Sequence, residues 1–169
     1  MIRAAILTIS DSVHAGTRED LSGPAVAERL GRLGWTVAAM EVIPDEAESI
    51  SARLATLADG NEVSAIFTTG GTGVAARDVT PEATRAVLER EIPGLAEVMR
   101  LEGRGSTPLA VLSRAAAGTR GKVLIVNLPG SPRGAVESLN AIVDVVPHVL
   151  DLLRGRTDHP PRAKPEAGA

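Results

Sequence analysis

Short apolar runs alternate with longer helical segments along the chain, and this alternation limits the fold more than any other feature. The first run, residues 2–9, is apolar at almost every position, as expected for a strand covered on both faces. Parallel strands need crossover connections, which are usually helical, so the alternation predicts an α/β fold with a mostly parallel sheet and helices on both faces. Strands are predicted at residues 2–9, 35–43, 64–69 and 122–127, and helices at residues 22–33, 46–58, 80–90, 95–102 and 132–153.

Residues with known positional preferences mark several helix boundaries. Ser22, Thr80 and Ser131 are candidate N-caps, and proline follows Thr80 and Ser131 directly. Pro147 is expected to interrupt or restart the last helix, because proline cannot donate a helical hydrogen bond. Residues 109–117 fit a helix or a strand equally well.

The C-terminal part of the chain differs from the rest in composition. Residues 155–169 are rich in Pro, Arg, Gly and Ala and have no apolar period, which predicts a disordered tail. The remaining residues, 1–154, are expected to form one domain of ordinary size.

Composition excludes several classes of function. The net charge of −3 and an aromatic content of 1% argue against nucleic-acid binding. The lack of cysteine excludes thiol nucleophiles, disulfides and Cys-ligated metals. No apolar run is long enough for a membrane span, and the apolar run in the first residues is too short for a signal peptide. A cytoplasmic protein with no membrane partner is therefore expected.

Polar clusters follow four of the predicted strands. They lie at residues 10–12, at Asp45, at residues 70–78 and at residues 127–131. In an open parallel sheet ligands bind beyond the carboxyl ends of the strands, so these four segments are expected to converge on one site.

The segment Thr-Gly-Gly-Thr-Gly at residues 69–73 favours an anion-binding loop. Glycine allows positive φ and lets backbone N–H groups approach an anion closely, and the threonines add hydroxyl donors. The segment lacks the Gly-Lys-Ser/Thr ending of a Walker A loop. Its match to the dinucleotide pattern, Gly71-x-Gly73-x-x-Ala76, follows the third strand instead of the first and does not open a helix, so a nicotinamide-dependent oxidoreductase is disfavoured.

Carboxylates near such a loop suggest a hard cation. Asp45 and Asp78 are candidate Mg²⁺ ligands, because Mg²⁺ is bound by one or two carboxylates together with substrate phosphates. Asp11 is a third candidate, although an Asx-turn explains it almost as well. Ser131 at a helix start is a candidate anion contact.

Taken together, six motifs in this order resemble the Mog/MoaB family of molybdenum cofactor biosynthesis proteins, which is also similar to the G domain of gephyrin. They are Ser-Asp-Ser at residues 10–12, Pro-Asp at 44–45, Thr-Gly-Gly-Thr-Gly at 69–73, Arg-Asp-Val-Thr-Pro-Glu-Ala at 77–83, Leu-Ser-Arg-Ala at 112–115, and Asn-Leu-Pro-Gly-Ser-Pro at 127–132. The resemblance covers roughly residues 4–154.

The resemblance implies a three-layer α/β/α sandwich, the molybdopterin-binding domain, commonly a homotrimer. It also implies molybdopterin adenylyltransferase activity, with Mg²⁺, ATP and molybdopterin bound and the product passed to a molybdenum-insertion protein. The family's catalytic and metal-binding aspartates correspond to Asp45 and Asp78. Molybdopterin contacts correspond to Ser10, Asp11, Ser12, Gly70, Gly71, Thr72 and Gly73, and nucleotide contacts to Pro129, Gly130 and Ser131.

Two alternatives to this activity stay open. A non-catalytic carrier or scaffold of the same fold could keep both aspartates and bind the pterin without turnover. A hydrolase of related fold that acts on nucleotides would cleave phosphate esters without any pterin.

Overall fold

The structure, a computed structural model, describes residues 1–156 and contains one sheet of six strands. The strands are β1 Arg3–Ile9, β2 Thr36–Ile43, β3 Ala65–Thr69, β4 Arg90–Glu91, β5 Ala117–Arg120 and β6 Val123–Leu128. Their spatial order is β2-β1-β3-β6-β5-β4. The first four in this order run parallel, and β5 and β4 extend the sheet in antiparallel fashion. The predicted mostly parallel α/β sheet is confirmed.

The helices connect these strands at the predicted intervals. They are α1 Asp11–His14, α2 Ser22–Arg32, α3 Ala47–Asp59, α4 Thr80–Arg85, α5 Pro93–Gly103, a 3₁₀ turn Pro108–Leu112, α6 Pro132–Asn140 and α7 Val146–Leu153. Ser131 caps α6 as predicted by accepting the N–H of Gly134 (3.2 Å). The last helical segment restarts as α7, with Pro147 in its first turn. The ambiguous residues 109–117 are a 3₁₀ turn followed by extended chain that leads into β5.

Each face of the sheet packs against its own set of helices, which gives three layers. On one face α2, α5, α6 and α7 cover a core that includes Ile6, Phe67 and Val126. On the other face α3 and α4 cover Leu7 and Ile66. Successive residues of β1 and β3 thus point into opposite cores, and both strands are buried along almost their whole length.

Two of the predicted N-caps are wrong. Ser22 is the first residue of α2, and the carboxylate of Asp20 accepts the N–H groups of Ser22 (3.1 Å) and Gly23 (3.0 Å) in its place. Thr80 is likewise the first residue of α4, its N–H bonds to Gly71 O (3.2 Å), and its buried hydroxyl has no hydrogen-bond partner in residues 1–156.

Helix α4 is shorter than predicted. It ends at Arg85, because residues 89–92 pair instead with β5 through bonds such as Glu89 N–H to Thr119 O (2.8 Å). Strand pairing with a partner distant in sequence overrides the local preference for helix.

The predicted tail lies largely outside the described residues. Helix α7 ends at Leu153, and Gly155 follows it with φ of +81°. No helix within residues 1–156 is long and apolar enough to cross a membrane.

The topology places a crevice between β1 and β3. The connection from β1 to β2 carries α2 on one face of the sheet, and the connection from β2 to β3 carries α3 on the opposite face. The chain leaves β1 toward α2 on one face of the sheet and leaves β3 toward α4 on the other, so the loops after these neighbouring strands diverge. Such a switch point is where open α/β sheets bind their ligands.

Candidate functional site

A cavity of about 420 Å³ lies at this switch point, beyond the carboxyl ends of β1 and β3. Five segments of the chain line it, the four that the sequence predicted and residues 18–22 in addition. They are residues 8–10 with Val13, residues 18–22, Asp45, and residues 69–71 with Asp78, together with residues 130–132 at the start of α6.

The two glycines after β3 are required by their geometry. Gly70 has φ of +95°, and a Cβ there would lie 2.4 Å from Ile9 O. Gly71 has φ of +63°, and its Cβ would lie 2.2 Å from Thr80 Oγ1 and 3.3 Å from Asp45 Oδ1. A side chain at either position would force this loop away from the neighbouring strand and helix.

Asp11 and Asp45 hold two loops together through reciprocal bonds. The Asp11 N–H donates to Asp45 Oδ2 (2.8 Å), and the Asp45 N–H donates to Asp11 Oδ1 (3.0 Å). The other oxygen of Asp11 pairs with Arg77, from the loop after β3. Asp11 thus connects three of the segments that surround the site.

Arg114 holds the glycine loop from the other side. Its N–H donates to Thr72 O (2.8 Å), its Nε donates to Gly73 O (2.6 Å), and its guanidinium also bonds Asp78 O and pairs with Glu82. Asp78 Oδ2 in turn accepts the N–H of Ala75 (2.8 Å). These bonds keep the carboxylate of Asp78 at the cavity in a loop without regular secondary structure.

Comparison with known proteins identifies the family. Residues 5–148 match the family described as "Probable molybdopterin binding domain".

The chain belongs to this family.

Relatives of this molybdopterin-binding domain cover nearly the whole chain. Molybdopterin adenylyltransferase of Helicobacter pylori strain J99 is 40% identical over 91% of this chain and 89% of its own length. The enzyme of the same name from Escherichia coli K12 is 38% identical over 91% and 86%. The crystal structure of the molybdopterin biosynthesis enzyme MoaB from Thermus thermophilus superposes with a TM-score of 0.86 at 52% identity, covering 92% of this chain and 98% of the other. The resemblance inferred from the motifs is confirmed.

Seven of the predicted site residues line the cavity of this molybdopterin-binding domain, and five do not. Those that line it are Ser10, Asp45, Gly70, Gly71, Asp78, Gly130 and Ser131. Four others do not line it but make backbone or side-chain contacts that hold its loops, namely Asp11, Ser12, Thr72 and Gly73. Pro129 lines a neighbouring cavity of about 200 Å³ that shares Ser131 with the first.

Several lining residues were not predicted from the sequence. Arg18 and Asp20 are the main ones, together with the hydroxyls of Thr8 and Ser22. An Asp just before the helix start at Ser22 was the available signal, because a carboxylate there can accept the first helical N–H groups.

The negative charge of Asp45 is unfavourable unless a cation is bound beside it. Partial burial raises the pKa of its carboxyl above the ordinary value, and the nearby charge of Asp78 raises it further. Within residues 1–156 there is no group of three or more acidic or histidine side chains arranged as a metal site. Mg²⁺ does not need one, since it binds one or two carboxylates and takes its other ligands from phosphates and water. The two aspartates fit a Mg-nucleotide. The hydroxyl of Thr80 fits one as well, because it has no hydrogen-bond partner within residues 1–156 and lies, like Asp45 Oδ1, close to Gly71.

The raised pKa predicts that Asp45→Asn stabilises the ligand-free protein. The folded state holds the Asp45 proton more tightly than the unfolded state does, so stability falls as pH rises from the unfolded pKa through the folded one. At neutral pH the neutral Asn avoids this cost, and its Oδ1 can still accept the Asp11 N–H. Thermal denaturation at pH 7.5 should give a higher Tm for Asp45→Asn than for wild type. The difference should shrink near pH 4, and an unchanged or lower Tm at neutral pH would contradict the assignment.

Asn127 has a structural role beside the site. Its fully buried side chain donates to Thr68 Oγ1 (3.0 Å) and Thr84 Oγ1 (2.8 Å) and accepts the N–H of Ala116 (3.0 Å). It therefore connects β3, α4 and the approach to β5, and it does not line the cavity.

We expect Asn127→Leu to destabilise the fold by about 2–4 kcal/mol, because it leaves one buried N–H and two buried hydroxyls without their hydrogen-bond partner. Chemical denaturation measures this change. Asn140→Leu is the matched control, since Asn140 is exposed and, within residues 1–156, its side chain bonds only Arg29 (2.6 Å). We expect it to cost less than about 1 kcal/mol. Equal losses for the two variants would contradict the role of Asn127.

Proposed function

We propose that this protein is a molybdopterin adenylyltransferase that transfers the adenylyl group of Mg-ATP to the terminal phosphate of molybdopterin. The observation that carries the proposal is the pair Asp45 and Asp78, which line one cavity with Gly70, Gly71 and the start of α6. The names of relatives with about 40% identity over most of the chain support the same activity.

The chemistry needs positioning more than a reactive side chain. An oxygen of the molybdopterin phosphate forms a bond to the α-phosphorus of ATP, and the bond from that phosphorus to the bridging oxygen breaks, so pyrophosphate leaves with its electron pair. No covalent enzyme intermediate is required, which fits a site without cysteine. Mg²⁺, when bound with ATP, neutralises charge on the phosphates.

Different residues of the site are assigned to the cation, the pterin and the nucleotide. Asp45 and Asp78 would hold the cation, and Asp11 fixes the loop that carries Asp45. The residue 70–73 loop and the residue 10–12 turn contact the pterin phosphate, and residues 129–131 contact the nucleotide. The two cavities that meet at Ser131 leave room for two substrates whose phosphates come together between them.

A pyrophosphate-release assay tests the proposal. Protein is mixed with molybdopterin and Mg-ATP, and pyrophosphate is followed against a protein-free control. We expect release that requires all three components. Release without molybdopterin would indicate the nucleotide hydrolase instead. Molybdopterin binding without any release would indicate the carrier or scaffold.

The proposed assembly is a homotrimer, and exposed apolar side chains support self-association. Val98 and Leu101 on α5 and Leu109, Val111 and Leu112 on the 3₁₀ turn are exposed. The two elements touch closely, since a Cβ on Gly103 would lie 2.9 Å from Ala110 Cβ. A cluster of this kind is typical of a protein interface.

We expect Leu101→Glu to reduce the assembled fraction, because it buries a charge in the interface. Light scattering on the eluted protein measures the mass of each species. Glu48→Gln, an exposed change on α3 at the opposite face of the sheet, should leave the mass unchanged. A wild-type protein that elutes only as a monomer would contradict the assembly.

A further inference from the structure

We infer that Arg18 binds a phosphate group of a substrate in the site cavity. The inference rests on the proposed function and adds a substrate-binding residue that none of the sequence motifs contains. Arg18 lies in the segment between α1 and α2, and it lines the cavity together with Asp45 and Asp78.

The residues that line the cavity carry more negative than positive charge, so an anionic substrate needs a cation there. Among residues 1–156, four carboxylate residues line it, namely Glu19, Asp20, Asp45 and Asp78, and Arg18 is the only basic residue that does so. Both substrates of the proposed reaction carry phosphate anions. A cavity with this excess of negative charge repels them unless cations offset it. A metal bound with the nucleotide would supply part of this positive charge, and within the described part of the chain only the Arg18 side chain on the cavity wall can supply more.

The other arginines around the loops are already engaged. Arg77 pairs with Asp11, and Arg114 pairs with Glu82 while bonding Gly73 O and Asp78 O. In the part of the chain that the structure describes, the guanidinium of Arg18 has neither an ion pair nor a hydrogen bond. Its donors are therefore available, and a guanidinium matches two phosphate oxygens at once.

The backbone holds Arg18 in place from both sides while its side chain stays free. The N–H groups of Thr17 (2.9 Å) and Arg18 (3.1 Å) both donate to Ser12 O. On the other side, the Asp20 carboxylate accepts the Ser22 and Gly23 N–H groups and the Thr8 hydroxyl (2.7 Å).

This anchoring also explains why Asp20 leaves Arg18 unpaired. Both of its oxygens are occupied by the start of α2 and by Thr8. The carboxylate also fills the N-terminal end of α2, where a substrate anion could otherwise bind. Gly23 makes room for it, since a Cβ there would lie 2.5 Å from Asp20 Oδ2.

Binding measurements on Arg18→Gln test the inference and identify the phosphate. Calorimetric titrations compare wild type and variant with Mg-ATP, Mg-pyrophosphate, AMP and molybdopterin. If Arg18 contacts the outer phosphates of the nucleotide, the affinities for ATP and pyrophosphate fall about 10-fold to 100-fold, while that for AMP is unchanged. If it contacts the pterin phosphate, the loss is confined to molybdopterin. Arg18→Lys should recover part of the affinity, because it restores the charge.

A matched control separates this role from a general effect of charge. Arg90→Gln removes an exposed arginine from β4, the last strand at the other edge of the sheet, and should change none of the affinities. Arg18→Gln affinities equal to those of wild type for all four ligands would overturn the inference. So would a uniform loss, AMP included, together with a lower Tm, because that pattern indicates a structural residue. Failure of the proposed function is a separate result, since wild type itself would then release no pyrophosphate.

Discussion

Replacing either Asp45 or Asp78 with Asn is expected to abolish pyrophosphate release, with a loss of at least about 10²–10³-fold in kcat. Asn has the shape of Asp and can still accept the N–H groups that hold each side chain, from Asp11 at Asp45 and from Ala75 at Asp78. The change therefore removes the negative charge on which the proposed cation depends, with little effect on the loops. Initial rates at saturating molybdopterin, over a range of Mg²⁺ and ATP concentrations, measure this effect.

Asp59→Asn provides a control for this pair of variants. Asp59 is an exposed carboxylate at the C-terminal end of α3, and it pairs with Arg120 (2.8 Å). It lines none of the site, so kcat should stay within about twofold of wild type. Molybdopterin binding should survive in Asp45→Asn and Asp78→Asn, because the pterin is assigned to other residues. Normal turnover in either of these two variants would show that its carboxylate does not hold the cation.

Gly70→Ala is expected to cost the fold about 3 kcal/mol or more. Two effects combine, since the backbone at φ of +95° is unfavourable for alanine and the new Cβ would lie 2.4 Å from Ile9 O. Gly70 is buried and its N–H bonds Leu128 O (3.2 Å), so the loop cannot move without breaking a contact to β6. Urea denaturation gives the free energy of unfolding, and the assay above gives the residual turnover.

Gly34→Ala separates the two contributions. Gly34 also has a positive φ, +74°, but nothing lies within 4 Å of the position that a Cβ would take. Its variant therefore measures the cost of backbone conformation alone, which should be about 1 kcal/mol. If Gly70→Ala is no more destabilising than Gly34→Ala, the close approach of the loop to β1 is not a constraint on the site.

The spacing of strands, helices and motifs was enough to predict the architecture. Buried parallel strands are apolar at nearly every position, so β1 and β3 were recognisable without any partner. Because polar residues follow these strands directly, convergence of Ser10, Asp45, Gly70, Asp78 and Ser131 also followed from topology alone. The ordered set of motifs then identified the family, which the comparison confirmed.

Errors arose where a distant segment competes with the local pattern. Thr80 has the residue type of an N-cap, but its N–H bonds the glycine loop and it becomes the first residue of α4. Helix α4 stops early because β5 offers a strand partner to residues 90–91. Asn127 comes at the end of a buried strand, where a ligand-binding residue is expected. Its side chain is instead hydrogen-bonded to Thr68, Thr84 and Ala116.

The sequence by itself determined the fold class, the family and the segments that meet at the site, because these depend on the order and periodicity of residues along the chain. Only the tertiary structure decided which side chains face the cavity and which hold its loops. That difference separates Arg18, which lines the cavity, from Arg77 and Arg114, which hold its loops, although all three are arginines in or beside loops of the site. The physical reason is that a charged side chain is engaged or free according to neighbours distant in sequence, and their positions are set by folding.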